Sequence, residues 1–204
     1  MASERPPVSR REQNKQRVRQ ALVREATRLF AARGFEATTI DEIVEEAGVS
    51  RRTFFRYFAT KESIAFPYRE ERLEAFEELI TRDLDERTPL EAVREACLAV
   101  GKYYAEDPDR ELARQRIVDE SPTLVAAELE IYGRWERAIA EAVTPKRASA
   151  KRRRQARIFA AATIGVLRTT LREWYESDCT KNLLTLGRQA FDLLEQGFDA
   201  EAMP

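Results

Sequence analysis

The strongest constraint on the fold is a recurring pair in which Ser, Thr or Asp is followed directly by proline. The pair occurs at Thr88-Pro89, Asp107-Pro108, Ser121-Pro122 and Thr144-Pro145. Proline is favoured at the first helical position because its missing N–H needs no partner there, and the preceding side chain caps the exposed amides. Thr88 is also followed by Glu91, which completes a capping box. Each pair therefore predicts the start of a helix.

The remaining sequence also favours helix. The chain of 204 residues has only seven glycines, it is dominated by residues that lose little entropy in a helix, and it lacks strand-like alternation. We predict an all-α fold of about nine helices, the fourth of them bent at Pro67. The predicted helices span residues 14–33, 40–47, 51–58, 61–87, 89–106, 108–119, 122–143, 147–176 and 180–197.

Charge is distributed unevenly along the chain. Residues 1–60 hold 12 Lys and Arg against 8 Asp and Glu, whereas residues 61–204 hold 23 against 28. A basic N-terminal third suggests a polyanion as its partner, although ordinary variation of surface charge is the alternative. We predict a disordered basic arm over 1–13, a first domain over 14–60 and a second domain over 61–204, and the features described below make them a DNA-binding domain and a ligand-binding and dimerisation domain, respectively.

The residue types argue against several kinds of site. The chain has no histidine and only two cysteines, Cys97 and Cys179, so we expect no disulfide framework, no metal site, and two small buried thiols. Nothing resembles a catalytic constellation or a phosphate loop, so neither an enzyme nor a cofactor is expected. No apolar run approaches the ~20 residues that span a bilayer. We therefore expect a soluble cytoplasmic protein without a membrane partner.

Residues 39–58 have the pattern of a helix-turn-helix unit. Thr39 and Glu42 form a second capping box, Gly48 supplies the positive φ of a tight turn, and Ser50 caps the helix that follows. Such a unit places its second helix in the major groove of DNA, which is wide enough to admit it and presents a distinct pattern for each base pair. This second helix therefore needs one apolar and one basic face.

The second helix meets that requirement. Phe54 and Phe58 share one stripe and are predicted to point inward, whereas Arg51, Arg52 and Arg56 point elsewhere. Arginine can donate to guanine edges or to phosphates, although a solvated face is the alternative. One short helix reads few base pairs, so specificity requires two half-sites and a homodimer.

The stretch GFEATTIDEIVEEAGVSRRTFFRYFATKESI, residues 34–64, resembles the N-terminal domain of the TetR-type repressor family. The resemblance covers residues 17–66 and implies a sequence-specific regulator that a small-molecule ligand releases from a palindromic operator. Phe55 departs from the family pattern, because tyrosine is usual there and phenylalanine cannot bond a phosphate. The DNA-binding residues predicted in this way are Thr39, Ser50, Arg51, Arg52, Thr53, Phe55, Arg56, Tyr57 and Lys61.

The resemblance gives these residues different roles. It implies phosphate contacts for Thr39 and Lys61, a backbone contact for the Tyr57 hydroxyl, and groove-facing positions for the others. The basic residues near the N-terminus either contact DNA or only increase solubility. Those residues are Arg10, Arg11, Lys15, Arg17 and Arg19.

Other functions remain open at this point. A DNA-binding activator, or a regulator whose signal is another protein, would keep the same DNA-binding unit. A helical enzyme is disfavoured by the missing catalytic residues, and a scaffold without DNA binding is disfavoured by the intact arginine-bearing helix.

The last two predicted helices carry more apolar surface than one face requires, with small residues beside large ones. We predict that they form a four-helix bundle with the same pair of a second subunit. A tightly packed core within one subunit is the alternative. The predicted dimer-interface residues are Ala161, Gly165, Leu184, Gly187, Phe191 and Leu194.

A ligand pocket is predicted among the central helices. The stretch RQRIVDESPTLVAAELEIYGRWERAIAEAV, residues 114–143, resembles the C-terminal domain of a TetR subgroup proposed to bind acyl-CoA-like ligands. The resemblance implies a small apolar or acyl-CoA-like ligand, with Arg114 or Arg116 as partner of an anionic group; ordinary core packing is the alternative. The predicted lining residues are Tyr103, Tyr104, Arg114, Ile117, Leu124, Tyr132, Trp135 and Trp174.

Overall fold

The computed structural model describes residues 10–197, and within this range the chain forms nine α-helices, one 3₁₀ helix and no strand. The predicted all-α fold is confirmed. The helices are α1 Arg10–Arg33, α2 Ile40–Glu46, α3 Arg51–Tyr57, the 3₁₀ helix Glu62–Ala65, α4 Arg69–Asp83, α5 Pro89–Ala105, α6 Pro108–Asp119, α7 Pro122–Ala142, α8 Ala150–Glu176 and α9 Leu183–Gln196.

The helices belong to two compact units. The N-terminal unit contains the described residues up to Pro67 together with Arg116–Val125. The C-terminal unit contains Tyr68–Gln115 and the described residues from Ala126 onward. The chain therefore leaves the N-terminal unit after Pro67, rather than after residue 60, and re-enters it through the end of α6 and the start of α7.

Three of the four predicted helix starts are confirmed. Thr88 and Glu91 form the expected capping box at α5, with the Glu91 N–H donating to Thr88 Oγ1 at 3.3 Å. The Arg110 N–H donates to Asp107 Oδ1 at 3.2 Å at the start of α6. At α7, the Leu124 N–H donates to Ser121 Oγ at 3.2 Å. In each case a proline follows the capping residue and occupies the first helical position.

The fourth predicted start, Thr144-Pro145, is wrong. The Thr144 hydroxyl donates to the Ala140 carbonyl at 2.5 Å, so its side chain completes the last turn of α7 instead of capping a new helix. A turn follows, and α8 begins at Ala150, where Ser149 Oγ accepts a hydrogen bond from the Arg152 N–H. A threonine hydroxyl can satisfy a preceding carbonyl as readily as a following amide, and the sequence pattern does not distinguish the two.

The predicted continuous helix over 61–87 is also wrong. Residues Glu62–Ala65 form one 3₁₀ turn, and α4 begins only at Arg69. Phe66 adopts φ −125° and ψ 61°, outside the helical region. The ring of Pro67 disfavours helical geometry at the residue before it, so the helix breaks here rather than bends.

The predicted disordered arm over 1–13 is only partly within the described residues. Residues 1–9 lie outside them. Residues 10–13 are helical and form the beginning of α1, so at this end the prediction is wrong. Gln, Lys and Arg follow them with no helix breaker, and these residues continue the helix at little cost.

The core of the C-terminal unit includes aromatic and aliphatic side chains of α4, α5, α7, α8 and α9. The rings of Phe76 and Trp135 lie 4.5 Å apart between centroids. Cys97 is buried in this core, as predicted, and burial raises the pKa of its thiol to about 12. Cys179 is half-buried and has a positive φ of 59°. No helix within residues 10–197 is long and apolar enough to cross a membrane.

Candidate nucleic-acid interface and ligand site

The helix-turn-helix unit is built as the sequence predicts. Thr39 and Glu42 form the capping box of α2, and the backbone and side-chain hydrogen bonds from Thr39 lower the pKa of the Glu42 carboxyl. Gly48 turns the chain with φ +66°, a conformation that glycine adopts without strain. Ser50 Oγ then accepts the Thr53 N–H at 3.1 Å and caps α3.

Two phenylalanines anchor α3 by packing into the interior of the N-terminal unit. Phe54 is fully buried and Phe58 is 3% exposed, and their ring centroids are 5.7 Å apart. Burying a phenylalanine side chain stabilises a fold by about 1.5–3 kcal/mol, so this contact fixes how α3 is rotated. A helix advances about 100° per residue, which puts Arg52 and Arg56 on the side opposite Phe54.

The outer side of α3 is basic and partly aromatic. Arg52 and Arg56 are exposed, and Phe55 is 46% exposed. The Arg56 guanidinium lies 5.1 Å from the Tyr57 ring centroid and donates to the Tyr57 hydroxyl at 3.5 Å. Arg52 has no hydrogen-bonding or ionic partner among the residues that the structure describes. This surface therefore presents guanidinium donors beside an apolar ring, the combination that DNA bases and phosphates accept.

Arg51 differs from the other two arginines because it has an acidic partner. Its Nη1 lies 2.9 Å from both carboxylate oxygens of Asp41 on α2. Its guanidinium carbon also lies 5.8 Å from the Phe55 ring centroid. Both partners of the ion pair are exposed, so the guanidinium is positioned at the surface rather than in the core.

The predicted hydroxyl contacts are already engaged within the unit. Thr39 Oγ1 donates to Glu42 Oε2 at 2.8 Å and accepts the Glu42 N–H. The Ser50 and Thr53 hydroxyls lie 3.0 Å apart. These residues shape the helix starts, and their predicted DNA contacts remain predictions.

Lys61 lies inside the N-terminal unit. Its Nζ donates to the carbonyls of Phe35 at 2.7 Å and Thr38 at 2.9 Å, and lies 3.5 Å from the Glu36 carbonyl. The ammonium also sits 4.1 Å from the centroid of the Phe35 ring. These contacts hold the segment between α1 and α2 and use the donors with which a phosphate contact would be made.

The basic residues of α1 divide in a similar way. Arg19 donates to the Pro67 carbonyl, and its guanidinium lies 5.9 Å from the Phe58 ring centroid, so it supports the fold of the unit. The other four basic residues predicted near the N-terminus are exposed. They are Arg10, Arg11, Lys15 and Arg17.

A hydrogen bond joins two distant segments of the N-terminal unit. Ser121 Oγ, which caps α7, donates to Glu36 Oε1 at 2.6 Å. This bond lowers the pKa of the Glu36 carboxyl. Ser121 is buried, with 1% of its surface exposed. The turn between α6 and α7 is thus tied to the segment that precedes α2.

A group of half-buried polar side chains around the buried Glu111 in the C-terminal unit, here called the Arg114 cluster, brings together three predicted ligand residues, Tyr104, Arg114 and Tyr132. Arg114 Nε donates to Glu111 Oε2 at 2.9 Å, and Arg114 Nη2 donates to the Tyr175 hydroxyl at 3.1 Å. Arg72 Nη2 reaches the other Glu111 oxygen at 3.4 Å. The Arg72 guanidinium also lies 4.4 Å from the Tyr104 ring centroid. Arg72 and Arg114 thus share one buried carboxylate, and the exposed Arg110 lies 3.7 Å from it as well.

The Arg114 cluster keeps its charges despite burial. Burial acts against the Arg114 charge, but the paired Glu111 carboxylate favours it, and the pKa of Arg114 is raised. Burial raises the pKa of Tyr175 and of Tyr132, and both phenols stay protonated. Buried titratable groups with shifted pKa values are characteristic of functional sites, although ion pairs with a purely structural role show them as well.

The other predicted ligand residues lie elsewhere. Trp135 packs in the core of the C-terminal unit, and the Trp174 indole N–H donates to the Lys181 carbonyl at 3.1 Å. Tyr103 is exposed on α5. Ile117 and Leu124 are buried residues of the N-terminal unit. An open groove of about 380 Å³ lies between α4, α5 and α9, and none of these residues lines it.

The predicted dimer-interface residues have different environments. Ala161 and Gly165 are exposed on α8. Gly187 and Phe191 are buried within the subunit, and a Cβ at Gly187 would meet Leu98 Cδ2 at 3.1 Å. Leu184 and Leu194 are half-buried, Leu184 lining the groove and Leu194 packing on the core. In this subunit four of the six residues therefore pack wholly or partly on its own interior.

Sequence reasoning missed several residues of these sites. They are Asp41, Glu36, Ser121 as a partner of Glu36, Glu111 and Tyr175. Their partners are separated by 10 to 85 residues, except for Glu111 and Arg114, which are one helical turn apart. That last spacing is the only local signal that identifies any of them.

The position of Lys61 generates a prediction about stability. In a Lys61→Met variant the carbonyls of Phe35 and Thr38 lose a charged donor, and we expect the unfolding free energy to fall by about 1–3 kcal/mol. Calorimetric or circular-dichroism melts measure this loss. Lys102→Met, an exposed lysine on α5, is the matched control. A Lys61 variant as stable as wild type, but weaker on DNA, would instead make this lysine a phosphate contact.

Two parts of the chain match known protein families. Residues 22–66 match the family described as bacterial regulatory proteins, tetR family, and residues 87–199 match the family described as the MftR C-terminal domain. A protein of Mycobacterium tuberculosis with the provisional name of mycofactocin biosynthesis transcriptional regulator MftR is similar to this chain. The two are 30% identical over 85% of this chain and 87% of the relative. The regulator TcmR of Streptomyces glaucescens is 36% identical over 64% of this chain and 62% of its own.

A solved structure shares both sequence and fold. The TetR-family repressor FadR of Thermus thermophilus, crystallised with lauroyl-CoA, is 27% identical, with a TM-score of 0.56 over 91% of this chain and 97% of its own. The chain belongs to the TetR family and is a DNA-binding transcriptional regulator.

Proposed function

We propose that the protein is a repressor that binds a palindromic operator as a homodimer and is released by a small apolar or acyl-CoA-like ligand. The main support for DNA binding by α3 is the way this helix packs: Phe54 is buried, while Arg52 and Arg56 are exposed on the opposite side. A helix seated in this way can enter the major groove with its guanidinium groups toward base edges and phosphates.

Arg52 and Arg56 are expected to carry most of this binding. Arg52→Ala and Arg56→Ala should each weaken operator binding by about 1–3 kcal/mol for a lost base contact. Loss of a phosphate contact should instead reduce the slope of log affinity against log salt by roughly 0.9 per contact. Fluorescence anisotropy with a duplex selected by the wild-type protein from a random pool measures both quantities.

An exposed arginine outside the unit provides the control for this measurement. Arg147→Ala removes the same charge from the segment before α8 and should leave operator affinity unchanged. Equal affinities for all three variants and wild type would remove α3 from the interface.

We further propose that the homodimer forms through an exposed apolar stripe on α8 and α9. On α8 the stripe contains Ile158, Ala161 and Gly165, all exposed, with Ile158 at 59%. Leu193 on α9, the helix packed beside α8, is 56% exposed. These residues replace the buried Gly187 and Phe191 as candidates. Pairing of two such surfaces gives the four-helix bundle expected for this family.

A charge placed on this stripe should separate the subunits. Gly165→Glu and Ile158→Glu are expected to give folded monomers in analytical ultracentrifugation, because both positions are exposed and a Cβ at Gly165 has no neighbour within 4 Å. Leu129→Glu, which changes an equally exposed leucine on α7, should remain dimeric. Dimers that persist in both α8 variants would place the interface elsewhere.

The ligand is proposed to bind at the Arg114 cluster, with its polar end toward the guanidinium. The support is the burial of Arg114 beside Tyr104, Tyr132 and Tyr175, together with the lauroyl-CoA bound to FadR of Thermus thermophilus. Because Glu111 already pairs with both arginines, an anionic ligand must displace or share this carboxylate. We expect the protein to act in the cytoplasm, where its operator DNA is found.

Helix α6 provides a route from ligand to DNA. It carries Glu111 and Arg114 in the C-terminal unit and continues into the N-terminal unit, just before the Ser121–Glu36 hydrogen bond. We propose that a ligand-induced shift of α6 disturbs this bond and favours a dimer whose recognition helices no longer match the half-site spacing. Such a ligand lowers DNA affinity in proportion to its preference for that state.

Lauroyl-CoA is the probe for this proposal. It should lower operator affinity of the wild-type protein at least fivefold, within the usual range of allosteric coupling. Ser121→Ala should bind the operator without ligand but lose most of this decrease, because the proposed link is missing. Isothermal titration with the same probe shows whether the variant still binds it.

The controls separate the possible failures. Ser177→Ala removes a hydroxyl that donates to the Trp174 carbonyl and accepts the Lys181 N–H in the turn after α8, and this variant should respond to lauroyl-CoA like wild type. If wild-type DNA binding is insensitive to lauroyl-CoA, this ligand class is wrong. If Ser121→Ala responds fully, the coupling runs by another route.

A further inference from the structure

The acidic partner of Arg51 suggests a role beyond the placement of α3. Arg51 is the first residue of α3 and Asp41 is the second residue of α2, so their contact bridges the two helices of the DNA-reading unit. One guanidinium nitrogen, Nη1, makes both 2.9 Å contacts with the carboxylate. The other two nitrogens of Arg51 are not used in this ion pair and can still donate outward.

The three arginines of α3 therefore differ in their free charge. Arg52 has no acidic partner among residues 10–197, and Arg56 contacts only Tyr57 within that range. At Arg51 the carboxylate offsets the positive charge, while the Phe55 ring lies 5.8 Å from the guanidinium carbon on another side. Phosphates attract any free cation regardless of DNA sequence, and this attraction supplies most non-specific binding.

An exposed ion pair is weak, so a stronger competitor can break or share it. The side chains of Arg51 and Asp41 are 58% and 68% exposed. A guanine edge that accepts two hydrogen bonds in fixed geometry is a strong competitor, whereas a single phosphate on DNA of arbitrary sequence is a weak one. The Asp41 carboxylate also repels the phosphate that would approach Arg51.

We propose that Asp41 is a positioning residue that sets DNA specificity: it holds Arg51 in an ion pair on DNA of arbitrary sequence, so that this arginine contributes only where a matching base edge is present. The inference rests on the proposed placement of α3 in the major groove. It goes beyond that placement, because it assigns to an acidic residue of α2 the discrimination between operator and other DNA.

The test measures binding of the full-length protein to random-sequence duplexes of 30 base pairs and to the selected operator. Asp41→Asn should bind the random duplexes about three- to tenfold more tightly than wild type, with a salt slope steeper by roughly 0.9 for each of the two subunits. Operator affinity should rise less, so the ratio of operator to random affinity falls. A role confined to the start of α2 would lower both affinities instead.

Two further variants identify the cause. Glu45→Gln removes the same charge from an exposed position of α2 and should change random-duplex binding much less. In the Asp41→Asn background, Arg51→Ala should abolish the gain, because the released guanidinium is then missing. Melting temperatures establish that each variant is folded.

The outcomes separate this inference from the proposed function. If Asp41→Asn and Glu45→Gln have the same effect, or if the gain persists without Arg51, net charge explains the result and the inference is overturned. Unchanged random-duplex binding by Asp41→Asn overturns it as well. If Arg52→Ala and Arg56→Ala leave operator affinity unchanged, the placement of α3 fails, whatever the Asp41 variant shows.

Discussion

The burial of one aromatic side chain determines the rotation of α3, the helix proposed to bind DNA. Phe54 is wholly enclosed, and the helix that carries it is only seven residues long. Such a short helix has little stability of its own and takes its orientation from packing. Once Phe54 is enclosed, the directions of the neighbouring guanidinium groups are fixed by helical geometry. The turn at Gly48 and the cap at Ser50 set where the helix begins along the chain, and Phe54 sets its rotation.

Features that depend on residues close in sequence were mostly predicted correctly. Most capping residues, the turn glycine Gly48 and the spacing of Phe54 and Phe58 depend on neighbours within four positions, and these features were predicted correctly. Thr144 was misjudged because a hydroxyl can satisfy a carbonyl behind it or an amide ahead of it. Pro67 was misjudged because its effect depends on whether packing compensates for a kink. Residues 10–13 were assigned to a disordered arm, although nothing in their composition interrupts α1.

Side-chain partners that are distant along the chain could not be predicted. Lys61 looked like a surface cation, but three carbonyl groups from the segment before α2 surround its ammonium. Gly187 and Phe191 have the composition of a helix–helix contact, and periodicity cannot say whether that contact lies within one subunit or between two. The Arg114 cluster depends on Arg72, 39 residues before its partner Glu111, and on Tyr175, 61 residues after its partner Arg114, and only tertiary packing brings them to α6. Electrostatic partners of this kind follow from the fold and cannot be read from a sequence pattern.

The N-terminal unit is built from two separate segments of the chain, and this determines when it can be completed during translation. Its residues up to Pro67 emerge from the ribosome first, but Glu36 finds its Ser121 partner only after α4, α5 and all of α6 have been made. Contacts between such distant segments form late, because a long loop must close before they are made. The nascent DNA-reading segment thus remains incomplete during much of translation. The last segments of this unit, the end of α6 and the start of α7, belong to helices that otherwise lie in the C-terminal unit, so the N-terminal unit is completed only once these helices have been made.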